Sequence, residues 1–160
     1  MTPIDAVKSV FTNYANFKGT AARPEFWWFY ALTVVVNFIL QALAGDSSNP
    51  NTIVSLIQLV WSLGILVPSL AVTVRRFHDA GFSGKWLLLW IAPIAAWIFA
   101  LGTTIVSFVQ LWQAGDIETT ILTVALASIP ALLLTIGVGI FQFVVTLLPS
   151  KTAEAGNTHA

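Results

Sequence analysis

Cysteine is absent, which excludes disulfides, thiol catalysis and thiolate metal sites. Charge is scarce: 9% of the 160 residues are Asp, Glu, Lys or Arg, against about 25% in an ordinary soluble domain. Seven basic and seven acidic residues cancel, so no bulk positive field draws the chain to nucleic acid, and none is expected as a partner. Histidine occurs only at His78 and His159, too few to build a metal site. Residues 1–25 lack the apolar core and small-residue cleavage site of a signal peptide, so the first hydrophobic run is expected to remain as a membrane anchor.

What is abundant is uncharged length. Residues 26–45, 47–74, 86–115 and 119–150 contain no Asp, Glu, Lys or Arg, and all fourteen charges lie between or beside them. About 20 helical residues cross a hydrocarbon core roughly 30 Å thick. The spacing therefore predicts an all-α membrane protein with four transmembrane helices, at about 26–44, 52–74, 86–112 and 119–148. Together they form one membrane bundle over residues 19–148, followed by a flexible tail at 149–160. Pro68, Pro93 and Pro130 fall inside spans two, three and four. Each is expected to bend its helix, with neighbouring helices satisfying the freed carbonyls.

A short N-terminal amphipathic helix is predicted within residues 1–18. Thr2 can cap it, Pro3 suits its first turn and Asp5 favours its positive end. Ile4, Val7, Phe11, Tyr14 and Phe17 recur at three or four residues. That face either lies in the membrane interface or packs on the chain's own helices.

Charge sign predicts orientation. Lys8, Lys18, Arg23, Arg75, Arg76, Lys85 and Lys151 fall before span one, between spans two and three, or after span four. Four spans put these regions on one side, which the positive-inside rule makes cytoplasmic, with both termini. The membrane is expected to be crossed several times. Trp27, Trp28, Trp86 and Trp112 stand at span ends, where indoles anchor at the headgroups. Trp61 and Trp97 lie mid-span and read as packing residues.

Chemistry-bearing residues concentrate in two segments. The first is Phe17-Lys18-Gly19-Thr20-Ala21-Ala22-Arg23-Pro24-Glu25-Phe26-Trp27, and the second is Arg75-Arg76-Phe77-His78-Asp79-Ala80-Gly81-Phe82-Ser83-Gly84-Lys85-Trp86. Arg23, Glu25, Arg75, Arg76, His78, Asp79, Ser83 and Lys85 form a candidate charged belt. Guanidinium forks suit carboxylates and phosphates alike. Glu25 and Asp79 are each expected to find an arginine among Arg23, Arg75 and Arg76, since an unpaired charge at a low-dielectric boundary is costly. Gly81 and Gly84 suit a sharp turn, and Ser83 a helix cap. Several enzymatic readings fail on spacing. Lys85 stands where a nucleophile elbow needs its last glycine, and Asp79 and Trp86 replace required residues of a phosphate loop. No catalytic residue, cofactor or metal ligand is assigned.

These two segments resemble the domain of unknown function 805 family, YhaH-like bacterial membrane proteins. Phe17, Gly19, Arg23, Glu25, Phe26 and Trp27 match its first motif, and Arg75, Arg76, His78, Asp79, Gly81, Ser83, Gly84 and Trp86 its second. Thr20 replaces a family arginine and Lys85 a tryptophan. The resemblance implies four spans, a location in a bacterial inner membrane and a residue cluster but no reaction.

Three functional readings follow, in this order. The first is a non-catalytic membrane protein whose belt binds lipid, an anionic phospholipid in particular, or a partner membrane protein or second copy. Next is a small-solute transporter or pore. Third is a membrane-embedded enzyme working on lipid headgroups at Arg23, Arg76, His78 and Asp79. The spans carry amides and hydroxyls (Asn37, Gln41, Gln58, Gln110, Gln142) but no charge, which argues against an ion-coupled pump.

Overall fold

The computed structural model describes residues 1–45, 51–114 and 116–151. Residues 46–50, Gly115, and the tail from 152 with His159 lie outside the described residues. Five α-helices follow in order: α1 (Pro3–Thr12), α2 (Arg23–Leu43), α3 (Thr52–Asp79), α4 (Ile91–Ala114) and α5 (Ile117–Leu147), with a 3-10 segment at Gly84–Trp90 before α4. The chain is an all-α membrane protein: the four spans are 21, 28, 30 and 31 residues long, counting the 3-10 segment with α4. Even the shortest rises about 30 Å as a helix. Their apolar side chains turn outward, Phe38 being 75% and Val60 70% exposed. Water could not stabilise such a surface, whereas lipid can.

Two compact units can be distinguished, residues 1–84 with 146–151, and residues 85–145. In the first, α1 begins as expected. The Thr2 side chain accepts from Asp5 N, and the Asp5 carboxylate accepts from Thr2 N, both at 3.2 Å. The Thr2 side-chain bond is the main cause holding the Asp5 carboxyl below its ordinary pKa. The helix stops at Thr12, earlier than the apolar series suggests, where the Asn13 side chain donates to Ser9 O at 3.0 Å. The buried residues of α1 are Ala6 and Val10, whereas Ile4 is 79% exposed. The helix thus packs on its own chain through a small-residue face. Val10 joins Ala21, Phe26, Phe29 and Val72 in the core of this unit.

Pro68 lies within α3 and offers no N–H to the carbonyl four residues earlier, that of Gly64. The Tyr14 hydroxyl donates to Gly64 O at 2.6 Å, taking the place of the missing backbone donor. Tyr14→Phe is expected to cost about 1 kcal/mol of unfolding free energy in detergent. In a Pro68→Ala background the same change should cost clearly less, because the substituted alanine brings its own N–H. An equal loss in both backgrounds would show that the hydroxyl does not serve that carbonyl. Farther along, α3 is joined to α2: Trp61 Nε1 donates to Asn37 Oδ1 at 3.1 Å and Gln58 Nε2 to Gln41 Oε1 at 3.3 Å.

The second unit repeats this device. Trp90 Nε1 donates to Gln142 Oε1 at 2.6 Å, and Trp97 Nε1 to Thr135 Oγ1 at 2.9 Å. Mid-span indoles and amides therefore link helices, as polar groups in apolar surroundings commonly do. Pro93 sits in the first turn of α4, where its missing N–H has no helical partner to lose. Asp116 Oδ1 accepts from Thr119 N at 3.2 Å ahead of α5, and that backbone bond is the main cause lowering its carboxyl pKa.

Candidate functional site: a charged clamp at three helix ends

The second motif is mostly helix rather than loop. α3 continues past Val74 through Arg75, Arg76, Phe77, His78 and Asp79, because neither glycine nor proline interrupts it there. It ends at Gly81, whose φ is +80°. Phe82 N donates to Phe77 O at 2.8 Å and Gly81 N to His78 O at 2.9 Å. This pair of bonds is the Schellman stop, which needs a left-handed residue. Gly84 serves a different purpose: a Cβ there would lie 2.7 Å from Val74 Cγ1 and 3.2 Å from His78 Nε2. It lets the returning chain pass close over α3. Ser83 precedes the 3-10 segment, and Lys85 lies inside it.

The first motif is tied to this helix end by backbone and side chain. Ala21 N donates to Arg75 O at 3.1 Å, and His78 Nδ1 lies 3.1 Å from Gly19 O. Gly19, at φ +79°, makes the turn that aims its carbonyl there. Arg75 Nη1 pairs with Glu25 Oε1 at 2.9 Å. The same oxygen accepts from Ser9 of α1 at 3.1 Å.

Arg76 is fully buried and holds the other half of the site. Its Nη1 pairs with Asp79. Its Nε and Nη2 donate to Thr146 O at 3.1 and 3.0 Å, and Nη2 also to Leu148 O. Arg23 Nε donates to Leu148 O at 2.9 Å. The C-terminal carbonyls of a helix lack intrahelical donors and carry partial negative charge. Two arginines thus cap the end of α5. Asp79 completes the clamp, accepting from Ser150 Oγ at 2.5 Å, while its carbonyl accepts from Lys151 N at 2.8 Å.

The start of α2, the end of α3 and the end of α5 are thereby fastened together. Both expected carboxylate–arginine pairs form. Arg23 takes a carbonyl rather than a carboxylate. Sequence reasoning missed Ser9, Thr146, Leu148 and Ser150. The only available signal was general: a helix ending near Pro149 leaves carbonyls in need of donors. Trp27 stacks edge-on to Phe26 at 5.5 Å and Trp86 packs on Phe141 at 5.3 Å, whereas Trp112 is 79% exposed.

Among the described residues no group of three metal-ligating side chains occurs. Away from the clamp, Gln110, Gln113, Asp116, Thr119, Thr120 and Thr123 line a recess of about 280 Å³ in the second unit. A neighbouring recess is lined mainly by apolar surface, including Phe99, Gly102 and Val106.

A helical membrane protein with an arginine clamp over its helix ends is the class these features define. The chain belongs to the family described as Protein of unknown function (DUF805), whose model matches residues 14–157. It is similar to inner membrane protein YhaI of Escherichia coli, 33% identical over 93 residues, covering 58% of this chain and 76% of that protein. Similarity to inner membrane protein YhaH of the same organism is 29% over 106 residues, 61% of this chain and 82% of that one. Uncharacterized protein YiiR, also from E. coli, is 33% identical over 112 residues, 68% and 70% of the two chains. No solved structure matches.

Proposed function

We propose that this chain is a non-catalytic protein of a bacterial inner membrane, and that the clamp end faces the cytoplasm and receives anionic phospholipid. The observation that carries the reading is the engagement of Arg76, whose three guanidinium nitrogens all donate to protein acceptors. With four of its five N–H bonds so engaged, the group has a structural task, which counts against the headgroup enzyme. Lipid as the ligand is supported by an excess of basic over acidic groups in this unit. Among its described residues, Lys8, Lys18, Arg23, Arg75, Arg76 and Lys151 stand against Asp5, Glu25 and Asp79. Each basic group near an anionic surface contributes about 1 kcal/mol, less where it is paired. Support for a small-solute pore is limited to the polar recess at Asp116.

Wild-type protein in detergent, titrated with phosphatidylglycerol or phosphatidylcholine and followed by native mass spectrometry, is expected to prefer the anionic lipid. Equal binding of the two would remove the lipid reading. Orientation is a separate expectation. Reporter fusions at Ser83 and Ala160 should give cytoplasmic signal, and fusions at Asn49 and Asp116 periplasmic signal. Periplasmic signal at Ser83 or Ala160 would overturn it.

A further inference from the structure

We propose that the Nε–Nη2 edge of Arg75 is the subsite where the anionic headgroup binds, taking two oxygens of its phosphate side-on. The proposal rests on the lipid reading above and narrows it to one side chain. Arg75 is 4% exposed. Nη1 is committed to Glu25, and Nε and Nη2 are buried with no acceptor among the described residues. Those two atoms share one edge of the planar guanidinium, the edge that presents two parallel N–H bonds to a carboxylate or phosphate.

The contrast with its neighbours selects this arginine. Each nitrogen of Arg76 has an acceptor in Asp79 or two carbonyls, and the Nε of Arg23 is spent on Leu148 O. Arg75 alone of the three combines burial with orphaned donors. Such donors in a low-dielectric setting are costly unless something accepts from them. Glu25 does not exhaust the charge either, because its Oε1 is shared between Arg75 and Ser9. Phosphate is the acceptor that matches both the fork and the surplus of basic groups around it. A lipid headgroup and free inorganic phosphate offer the same oxygens, and the proposal commits to the lipid.

The test extends the phosphatidylglycerol titration to two variants. Arg75→Lys keeps the charge and removes the two-pronged edge, and it is expected to weaken phosphatidylglycerol binding about tenfold or more. Glu25→Gln keeps an oxygen for Nη1 and removes the competing negative charge, so it should strengthen binding severalfold. The opposite signs separate recognition from loss of fold, since a poorly folded variant would not bind lipid more tightly. Failure of millimolar inorganic phosphate to displace the lipid supports the headgroup as ligand. Displacement at that concentration would assign the edge to free phosphate and overturn the lipid commitment. If both variants match wild type while wild type still prefers phosphatidylglycerol, the Arg75 subsite is wrong and the wider lipid reading stands. Should wild type show no preference, both fall.

Discussion

Arg76→Ala is expected to lower the unfolding free energy of the detergent-solubilised protein by about 3–5 kcal/mol. The side chain is fully buried and serves Asp79, Thr146 O and Leu148 O together. Truncation would leave a carboxylate and the end of α5 without donors, and water has no ready route to replace them. Lys18→Ala is the control. Lys18 is exposed, and surface changes of that kind stay within about 0.5 kcal/mol. Arg76→Lys should fall between, because one ammonium cannot span the positions held by three nitrogens. Thermal unfolding of the four proteins reads the result. Equal small effects at Arg76 and Lys18 would sink the clamp as a stabilising device.

Glu25→Ala is the second large effect, again about 3–5 kcal/mol. It strips Arg75 of its counter-ion when two of its nitrogens already lack acceptors, and it takes the acceptor from Ser9. The double change Glu25→Leu with Arg75→Met should recover most of that loss, since a buried pair replaced by apolar groups of similar size leaves no stranded charge. If the double variant is as unstable as Glu25→Ala, the cost lies in packing rather than in the orphaned guanidinium. Ser9→Ala, which removes only one hydrogen bond, sets the scale at about 1 kcal/mol.

How much was legible in the sequence differs by element. The spans were legible because lipid imposes one requirement over their whole length: no charge and every backbone group bonded internally. The start of α1, with Thr2 as its cap, was legible because it is settled within four residues. Where α3 ends was not. Charge suggested a loop from Arg75, but helix termination follows backbone stops, and the first usable stop is Gly81. Which face of α1 would pack on the chain was left open by the sequence. Its larger apolar side chains turn outward, and the face with Ala6 and Val10 packs because small side chains let helices approach closely.

Composition and spacing alone determined that this is a four-span membrane protein with its basic residues gathered into three regions. They also indicated that Glu25 and Asp79 would each need an arginine. Only the tertiary structure decided the partners: Arg75 for Glu25, Arg76 for Asp79, and the carbonyls of Thr146 and Leu148 for Arg76 and Arg23. It also decided that Tyr14 would answer for Pro68. The physical reason is that hydropathy is a property of a segment, readable residue by residue. A hydrogen bond to a backbone carbonyl 70 residues away depends on where two helix ends come to rest, and every residue type offers that same carbonyl.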